Sequence, residues 1–263
     1  MSELPHQSRC NSQKENGTAP PLFLRPACSD DVPFLIDCVL NAERGHIGVG
    51  WWDLAFPNHE DTIRGLVSEI LLTSEPVVHR MDGFLVAVLP DGRPIAGLMG
   101  CDLCPPGVPR TSTSRNWEVQ IEVFKNAVTK RLSADELPHV MAVLEDLYTA
   151  IPEDTGRCWV LDCLYVLPEY RGHGISEQLL RRSLARGAEL GIPEARLITY
   201  SGNESSLHVY RRLGFETGAV TTHPAFAAAQ RRLSSSALRV NPRGNPVRQK
   251  TQPGSRKRLA PQQ

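Results

Sequence analysis

The chain has 263 residues, 41% of them hydrophobic and 22% charged, with 29 basic and 29 acidic side chains. This is the composition of a globular protein long enough for one generous domain or two small ones, and no apolar run approaches the roughly 18 residues that span a bilayer. The zero net charge conceals an asymmetry, because residues 231–263 hold nine Lys or Arg and no Asp or Glu, leaving 20 basic against 29 acidic side chains in the 230 residues before them.

Met1 to Pro21 is rich in Ser, Asn, Gln and Pro without periodicity, which predicts disorder over 1–21. It also lacks an apolar signal core, which points away from secretion. Leu22 to Pro26 reads as a short strand. Ser29-Asp30-Asp31 then caps a helix with Val32, Leu35, Ile36, Val39 and Leu40 on one side. Residues 45–58 read as a loop carrying His46, Trp51, Trp52 and Phe56, and Glu60 to Leu72 as a second helix with Ile63, Leu66, Val67, Ile70 and Leu71 inward. Gly83 to Leu89 and Pro94 to Asp102 are apolar strands joined by the hairpin signal Asp91-Gly92.

Residues 104–156 look like a helical insertion between strands. Ser133 and Glu136 have capping-box spacing ahead of Leu137, Val140, Met141, Leu144, Leu147 and Tyr148, so one helix is expected there. Cys158 to Val166 is a continuous apolar strand. A glycine-containing turn follows, then a helix from Ile175 to about Leu190 that stops at Gly191. Ala195 to Tyr200 reads as a strand parallel to the one before it through a right-handed crossover. A shorter helix, Glu204 to Leu213, ends at Gly214, and Phe215 opens final strand structure to about 222. Beyond about 234 periodic apolar residues nearly vanish. The expectation is one α/β domain over 22–230, between a disordered start and a basic disordered tail at 231–263.

Seven cysteines at 10, 28, 38, 101, 104, 158 and 163 form an odd, scattered set, which suits free thiols in a reducing, cytoplasmic setting. Cys101-x-x-Cys104 has no second Cys or His pair and is followed by two prolines, so it reads as two ordinary thiols and no metal is expected. Arg256-Lys257-Arg258 leaves a nuclear address, or contact with nucleic acid or an acidic partner, open beside a merely solubilising tail.

The chemistry concentrates at residues 164–176, Leu-Tyr-Val-Leu-Pro-Glu-Tyr-Arg-Gly-His-Gly-Ile-Ser. A strand, two close glycines and the start of a helix bring unpaired N–H groups and the positive helix end together, and Arg171 adds charge. That is an anion site. The absence of G-x-x-x-x-G-K-[ST] argues against a triphosphate loop, and no acidic residue ends the following strand as dinucleotide folds require.

Val166 to Ser176 resembles the acyl-CoA motif Q/R-x-x-G-x-G/A of the GNAT superfamily of N-acetyltransferases, and Asn203 to Phe215 resembles that family's following motif. The resemblance covers roughly residues 158–220. It implies a GNAT fold, a mixed central sheet with helices on both faces and splayed between the strands ending at Val166 and Tyr200, with acetyl-CoA as co-substrate. By the same resemblance the pyrophosphate lies on Arg171, Gly172, His173, Gly174, Ile175 and Ser176, and the pantetheine arm pairs with Leu164, Tyr165 and Val166. Ser176 departs from the family's Gly or Ala but is small and keeps its N–H. Asn203 is expected either to cap its helix, to contact the cofactor, or both.

Tyr210 matches the family tyrosine that protonates the departing CoA thiolate; a helix tyrosine that only packs is the alternative. An ammonium must lose a proton before it can attack, and Asp162 is the first choice of base. Its strand resembles the L-E/D-x-x-x-V strand of polyamine-type acetyltransferases, whose acid is thought to act through water. In a regular strand Asp162 shares a face with Leu164. A structural carboxylate tied to backbone or to Arg157 is the competing reading. Glu43 and His46 are further candidates for the base or for the acceptor pocket, which Trp51, Trp52 and Phe56 could shape. The resemblance thus implies an N-acetyltransferase acting on a small-molecule amine or a protein lysine or N-terminus. A non-catalytic CoA-binding sensor or scaffold with a basic interaction tail is the rival.

Overall fold

The structure, a computed structural model, describes residues 21–75, 77–102, 117–148, 157–226 and 234–240. The expectations for residues 1–20, for Cys104 and for the tail beyond 240 fall outside them.

The elements run β1 (Phe23–Pro26), α1 (Val32–Arg44), α2 (Trp51–Ala55), α3 (Glu60–Leu72), β2 (Phe84–Val88), β3 (Pro94–Asp102), α4 (Trp117–Thr129), α5 (Leu137–Tyr148), β4 (Trp159–Val166), α6 (Ile175–Glu189), β5 (Ala195–Tyr200), α7 (Glu204–Arg212), β6 (Glu216–Thr222) and β7 (Ser234–Val240). Together the strands make one seven-stranded sheet in the order β1-β2-β3-β4-β5-β7-β6. It is antiparallel throughout except for the parallel pair β4–β5. Helices cover both faces, as the resemblance implied.

The apolar periodicities explain the layers. On one face α1 and α3 bring Leu35, Cys38, Val39, Leu66, Val67 and Ile70 onto Phe84, Val86 and Met99. On the other, α6 and α7 bring Leu179, Leu180, Leu184, Leu207 and Tyr210 onto Leu98, Trp159 and Leu161. Burying a Leu such as Leu66 completely stabilises the fold by about 2–3 kcal/mol. Close contact between α1 and β3 depends on Gly97, where an added Cβ would lie 2.9 Å from the Cys38 sulfur.

Three features differ from the sequence expectation. The segment read as a loop contains α2: the Asp53 carboxylate accepts the Gly50 N–H at 2.8 Å and is gripped by Arg44 at 2.7 and 2.9 Å, which fixes a first turn. The 104–156 stretch holds two helices rather than one. α4 packs on α3 and α5 on α2, so the connection folds back over the α1 side of the sheet.

The third correction concerns the basic tail. Its residues 234–240 form β7, inserted between β5 and β6 and paired with β5 from Ala195↔Val240 to Tyr200↔Ser235. The expected domain end at 230, and disorder across the whole of 231–263, therefore fail for this stretch. Ser-Ser-Ser-Ala-Leu-Arg-Val is too weakly patterned to be read locally. It is a strand because both its edges find hydrogen-bonding neighbours.

Candidate active site

The sheet opens where the sequence expected it to. β4 and β5 pair at only three positions, Trp159↔Ala195, Val160↔Arg196 and Leu161↔Leu197. Beyond them β4 stays with β3 as far as Val166, while β5 stays with β7 as far as Tyr200. Among the described residues no strand pairs with the β5-facing edge of β4 over 163–166, so an extended ligand can complete the ladder there.

The turn after β4 stands at the mouth of this opening. Gly172 and Gly174 have φ of +84° and +74°, and a Cβ at either would meet nothing within 4 Å. Backbone freedom, rather than space, is what these positions need from glycine. Gln178 N–H is the first in α6 to reach back to Gly174, at 3.2 Å, so the N–H groups of Ile175, Ser176 and Glu177 have no intrahelical partner. Ile175 is buried and pins the helix start to the core. His173 and Ser176 are half-buried. Arg171 folds back: its Nε donates to the Val166 carbonyl at 3.0 Å, and its guanidinium lies 5.8 Å from the Tyr165 ring centre.

β4 is not regular. Met99 faces Asp162 but Gly97 faces Tyr165, so β4 carries one extra residue, a bulge at Cys163 whose φ is +52°. The expectation that Asp162 and Leu164 share a face is thereby corrected, because the bulge shifts the alternation. Leu164 packs on the α6 side, whereas Cys163 and Tyr165 pack on the α1 side.

On that α1 side the Asp162 carboxylate accepts the Cys163 N–H at 2.7 Å, and its second oxygen lies 3.5 Å from Nε2 of His79. Arg157 grips Asp102 at 2.6 and 2.8 Å. Glu43, near the end of α1, comes to 3.9 Å from the same His79 nitrogen. His79 itself has φ of +71°. Strained backbone at both His79 and Cys163 is typical of functional sites and costs about 1–3 kcal/mol each.

Electrostatics tie the group together. Burial, reinforced by Asp162 and Asp53, raises Glu43 to about 8, offset in part by His79 and Trp52. Burial alone would lower His79, but the Asp162 and Glu43 carboxylates outweigh it and the net shift is upward. Burial with the same two carboxylates holds the Cys163 thiol far up, so it stays protonated and is a poor nucleophile.

Of the remaining sequence candidates, Tyr210 is buried against Phe215, ring centres 5.9 Å apart. Burial raises its hydroxyl well above the ordinary value, with the Asp162 charge adding and Ser206 offsetting. It stays a proton donor at neutral pH. Asn203 heads α7 without a side-chain cap bond, so the capping reading is corrected; its Oδ1 only accepts from Ser205 at 3.4 Å. His46 lies edge-on to Tyr200, ring centres 6.3 Å apart. Trp52 and Phe56 pack with Phe124 of α4, while Trp51 packs on Phe226.

His79 was missed from the sequence. It lies in an unpatterned connection between α3 and β2, and the only local hint was a histidine following the apolar pair Val77-Val78.

Residues 134–215 match the model of the acetyltransferase (GNAT) family. Over 60 residues, 23% of this chain, the sequence is 33% identical to thialysine N-epsilon-acetyltransferase of Sus scrofa and 32% identical to that of Mus musculus. The matched stretch spans about a third of those relatives, 35% of their length. Among solved structures, an N-acetyltransferase from Staphylococcus aureus Mu50 superposes with a TM-score of 0.55 at 14% identity, over 83% of this chain and 100% of that one. An agmatine N-acetyltransferase superposes with a TM-score of 0.51 at 13% identity, over 84% and 99%. At these identities the likeness is one of fold.

Proposed function

We propose that the chain, whose residues 134–215 match the GNAT acetyltransferase family, is an N-acetyltransferase of that family carrying an acetyl group from acetyl-CoA to an amine held in the same cleft. The observation that carries this reading is the early end of the β4–β5 ladder at Leu161/Leu197, on the strand that runs on into the Gly172–Gly174 turn and the open first turn of α6.

The parts fit the co-substrate. Unpaired N–H groups at Ile175 and Ser176, with the glycine turn and the helix dipole, suit a pyrophosphate. The β4 edge at Leu164–Val166 suits the amides of a pantetheine arm, and the Asn203 amide, which makes no capping bond, suits a further contact at the start of α7. Acetyl-CoA supplies the activated acyl group. The chain's own residues hold it, exclude water and move protons.

Tyr210, kept protonated by burial, is the donor to the leaving sulfur. Asp162, in contact with His79 and through it with Glu43, belongs to the group that receives the amine's proton. The protonated Cys163 thiol argues against an acylated-cysteine route, leaving direct attack by the amine. Proximity in the cleft supplies much of the rate.

The test is incubation with acetyl-CoA and a broad amine panel, following free thiol. Amine-dependent thiol release is expected. Tight acetyl-CoA binding with no release from any amine or lysine peptide would instead make the chain a CoA-binding scaffold.

A further inference from the structure

α1, the α3–β2 connection and β4 each place one ligating side chain at a single point inside the protein. The Glu43 carboxyl, the His79 imidazole and the Cys163 thiol bring one atom apiece within 4.8 Å of one another. A tetrahedral ion bound to N, O and S at about 2.0–2.3 Å separates its ligand atoms by roughly 3.3–3.6 Å. Nε2 of His79 lies 3.9 Å from Glu43 and 3.5 Å from Asp162, so modest side-chain rotation closes the set, with Asp162 at the fourth corner.

The backbone is bent to the same end. Among the described residues the non-glycine positions with positive φ are Asn58, His79 and Cys163, and two of these three are in this cluster, at +71° and +52°. Strain of about 1–3 kcal/mol each persists where the surrounding structure enforces it, typically at a site. Asp162 accepts the Cys163 N–H at 2.7 Å and so secures the bulge that carries the thiol. Trp52 hydrogen-bonds Glu43, the kind of outer partner that orients a metal ligand. The Asp162 side chain is 43% exposed and opens a way in.

The charge suits a cation. Burial, with Asp162 adding, makes Glu43 and Cys163 hold their protons more tightly than usual, and the carboxylates overcome burial at His79. Negative potential that gathers protons gathers any cation, and one divalent ion takes the protons' place. The protons of the thiol, of the Glu43 carboxyl and of a charged His79 pass to solvent, and nothing is oxidised or reduced. The Glu43 and Cys163 anions neutralise the ion, which makes its burial tolerable. A thiolate with an imidazole selects a borderline-soft ion over Mg2+ or Ca2+, which take oxygen sets.

We infer that Glu43, His79 and Cys163, with Asp162 at the fourth corner, form a site for one thiophilic divalent cation of the Zn2+ kind. Binding there does not depend on the transfer chemistry. Under the acetyltransferase reading, the ion takes up the carboxylates and imidazole that receive the amine's proton, so it acts as an inhibitor and not as a cofactor.

The test uses the full chain stripped of metal by a chelator, with Cys101→Ser as the reference so that the Cys101-x-x-Cys104 pair does not contribute. Zn2+ is titrated against a chromophoric chelator, and Co2+ serves as the spectroscopic substitute. One ion per chain is expected, with a thiolate-to-cobalt charge-transfer band and the visible bands of tetrahedral cobalt. Adding Cys163→Ser should remove the thiolate band, and either Cys163→Ser or His79→Gln should weaken Zn2+ binding by roughly a hundredfold or more. No ion held by the reference chain, or an unaltered band in Cys163→Ser, overturns the site. Where Cys163→Ser does not fold, as read by circular dichroism, Glu43→Gln replaces it: weakened Zn2+ binding supports the site and unaltered binding overturns it. Any acetyl transfer to an amine should be inhibited by Zn2+ and restored by chelator, and transfer that persists at full occupancy overturns the inhibitory role. Failure of every amine to release thiol sinks the acetyltransferase reading instead, and the zinc and cobalt titrations still decide the site.

Discussion

Nε2 of His79 stands between two carboxylates, 3.5 Å from Asp162 and 3.9 Å from Glu43, on the α1 side of the sheet beside the bulge at Cys163. Three separate segments meet there: the end of α1, the connection before β2, and the middle of β4. The arrangement gives the molecule a buried proton-holding group, and it has a consequence for stability.

Glu43 binds its proton more tightly in the folded chain, at about 8, than its ordinary 4.5. Folded protein therefore holds the extra proton between these values, and stability is full below the ordinary value and is lost as pH rises toward about 8. His79, also raised, acts with the same sign. Glu43→Gln mimics the protonated form. It should unfold several degrees above the parent near pH 9 and almost level with it near pH 5, as read by thermal denaturation across pH.

Tyr210→Phe keeps the ring packed on Phe215 and removes only the hydroxyl. The expected outcome is a fall in kcat of roughly a hundredfold or more with acetyl-CoA affinity unchanged. A normal rate would return Tyr210 to the core as a packing residue.

Gly174→Asp places a Cβ on a residue with φ of +74° and a negative charge at the start of α6. Strain of about 1–2 kcal/mol and like-charge repulsion act together against a bound phosphate. Calorimetry should find acetyl-CoA binding abolished, and unaltered affinity would remove the phosphate site from this turn.

Arg25 and Asp31 pin β1 to the start of α1 through bonds of 2.6 and 2.9 Å, with Asp31 buried and also accepting the Cys28 N–H. Burial alone would raise Asp31, but Arg25 and Cys28 outweigh it and hold it below its ordinary value. Its contribution is therefore present above that ordinary value and lost as pH falls through the depressed one. Arg25→Ala leaves the carboxylate buried and unpaired and should cost roughly 2–3 kcal/mol at neutral pH, discounted for the partly exposed guanidinium. Urea denaturation should show the penalty shrinking in strong acid.

What was legible in the sequence was whatever local pattern determines. Helical periodicity placed α1, α3 and α6, and alternation with Asp91-Gly92 placed β2 and β3. The two glycines ahead of Ile175 marked the turn. What was not legible depends on partners distant in the chain. β7 exists because β5 and β6 offer it two edges, and α2 because Asp53 and Arg44 secure a short turn. The bulge at Cys163 reversed which residues Asp162 faces, something no regular alternation predicts. His79 has no pattern of its own, and its meaning appears only when Glu43 and Asp162 arrive beside it. Asp162 was found from the sequence, but its surroundings were not.

The central claim is that acetyl-CoA occupies the opening between β4 and β5. Amide hydrogen exchange on the full chain, with and without acetyl-CoA, tests it most directly. Slowed exchange is expected at the β4 edge from Asp162 to Val166 and through Gly172 to Glu177. Exchange unaltered in both stretches at saturating acetyl-CoA, or protection confined to other parts of the sheet, would contradict it.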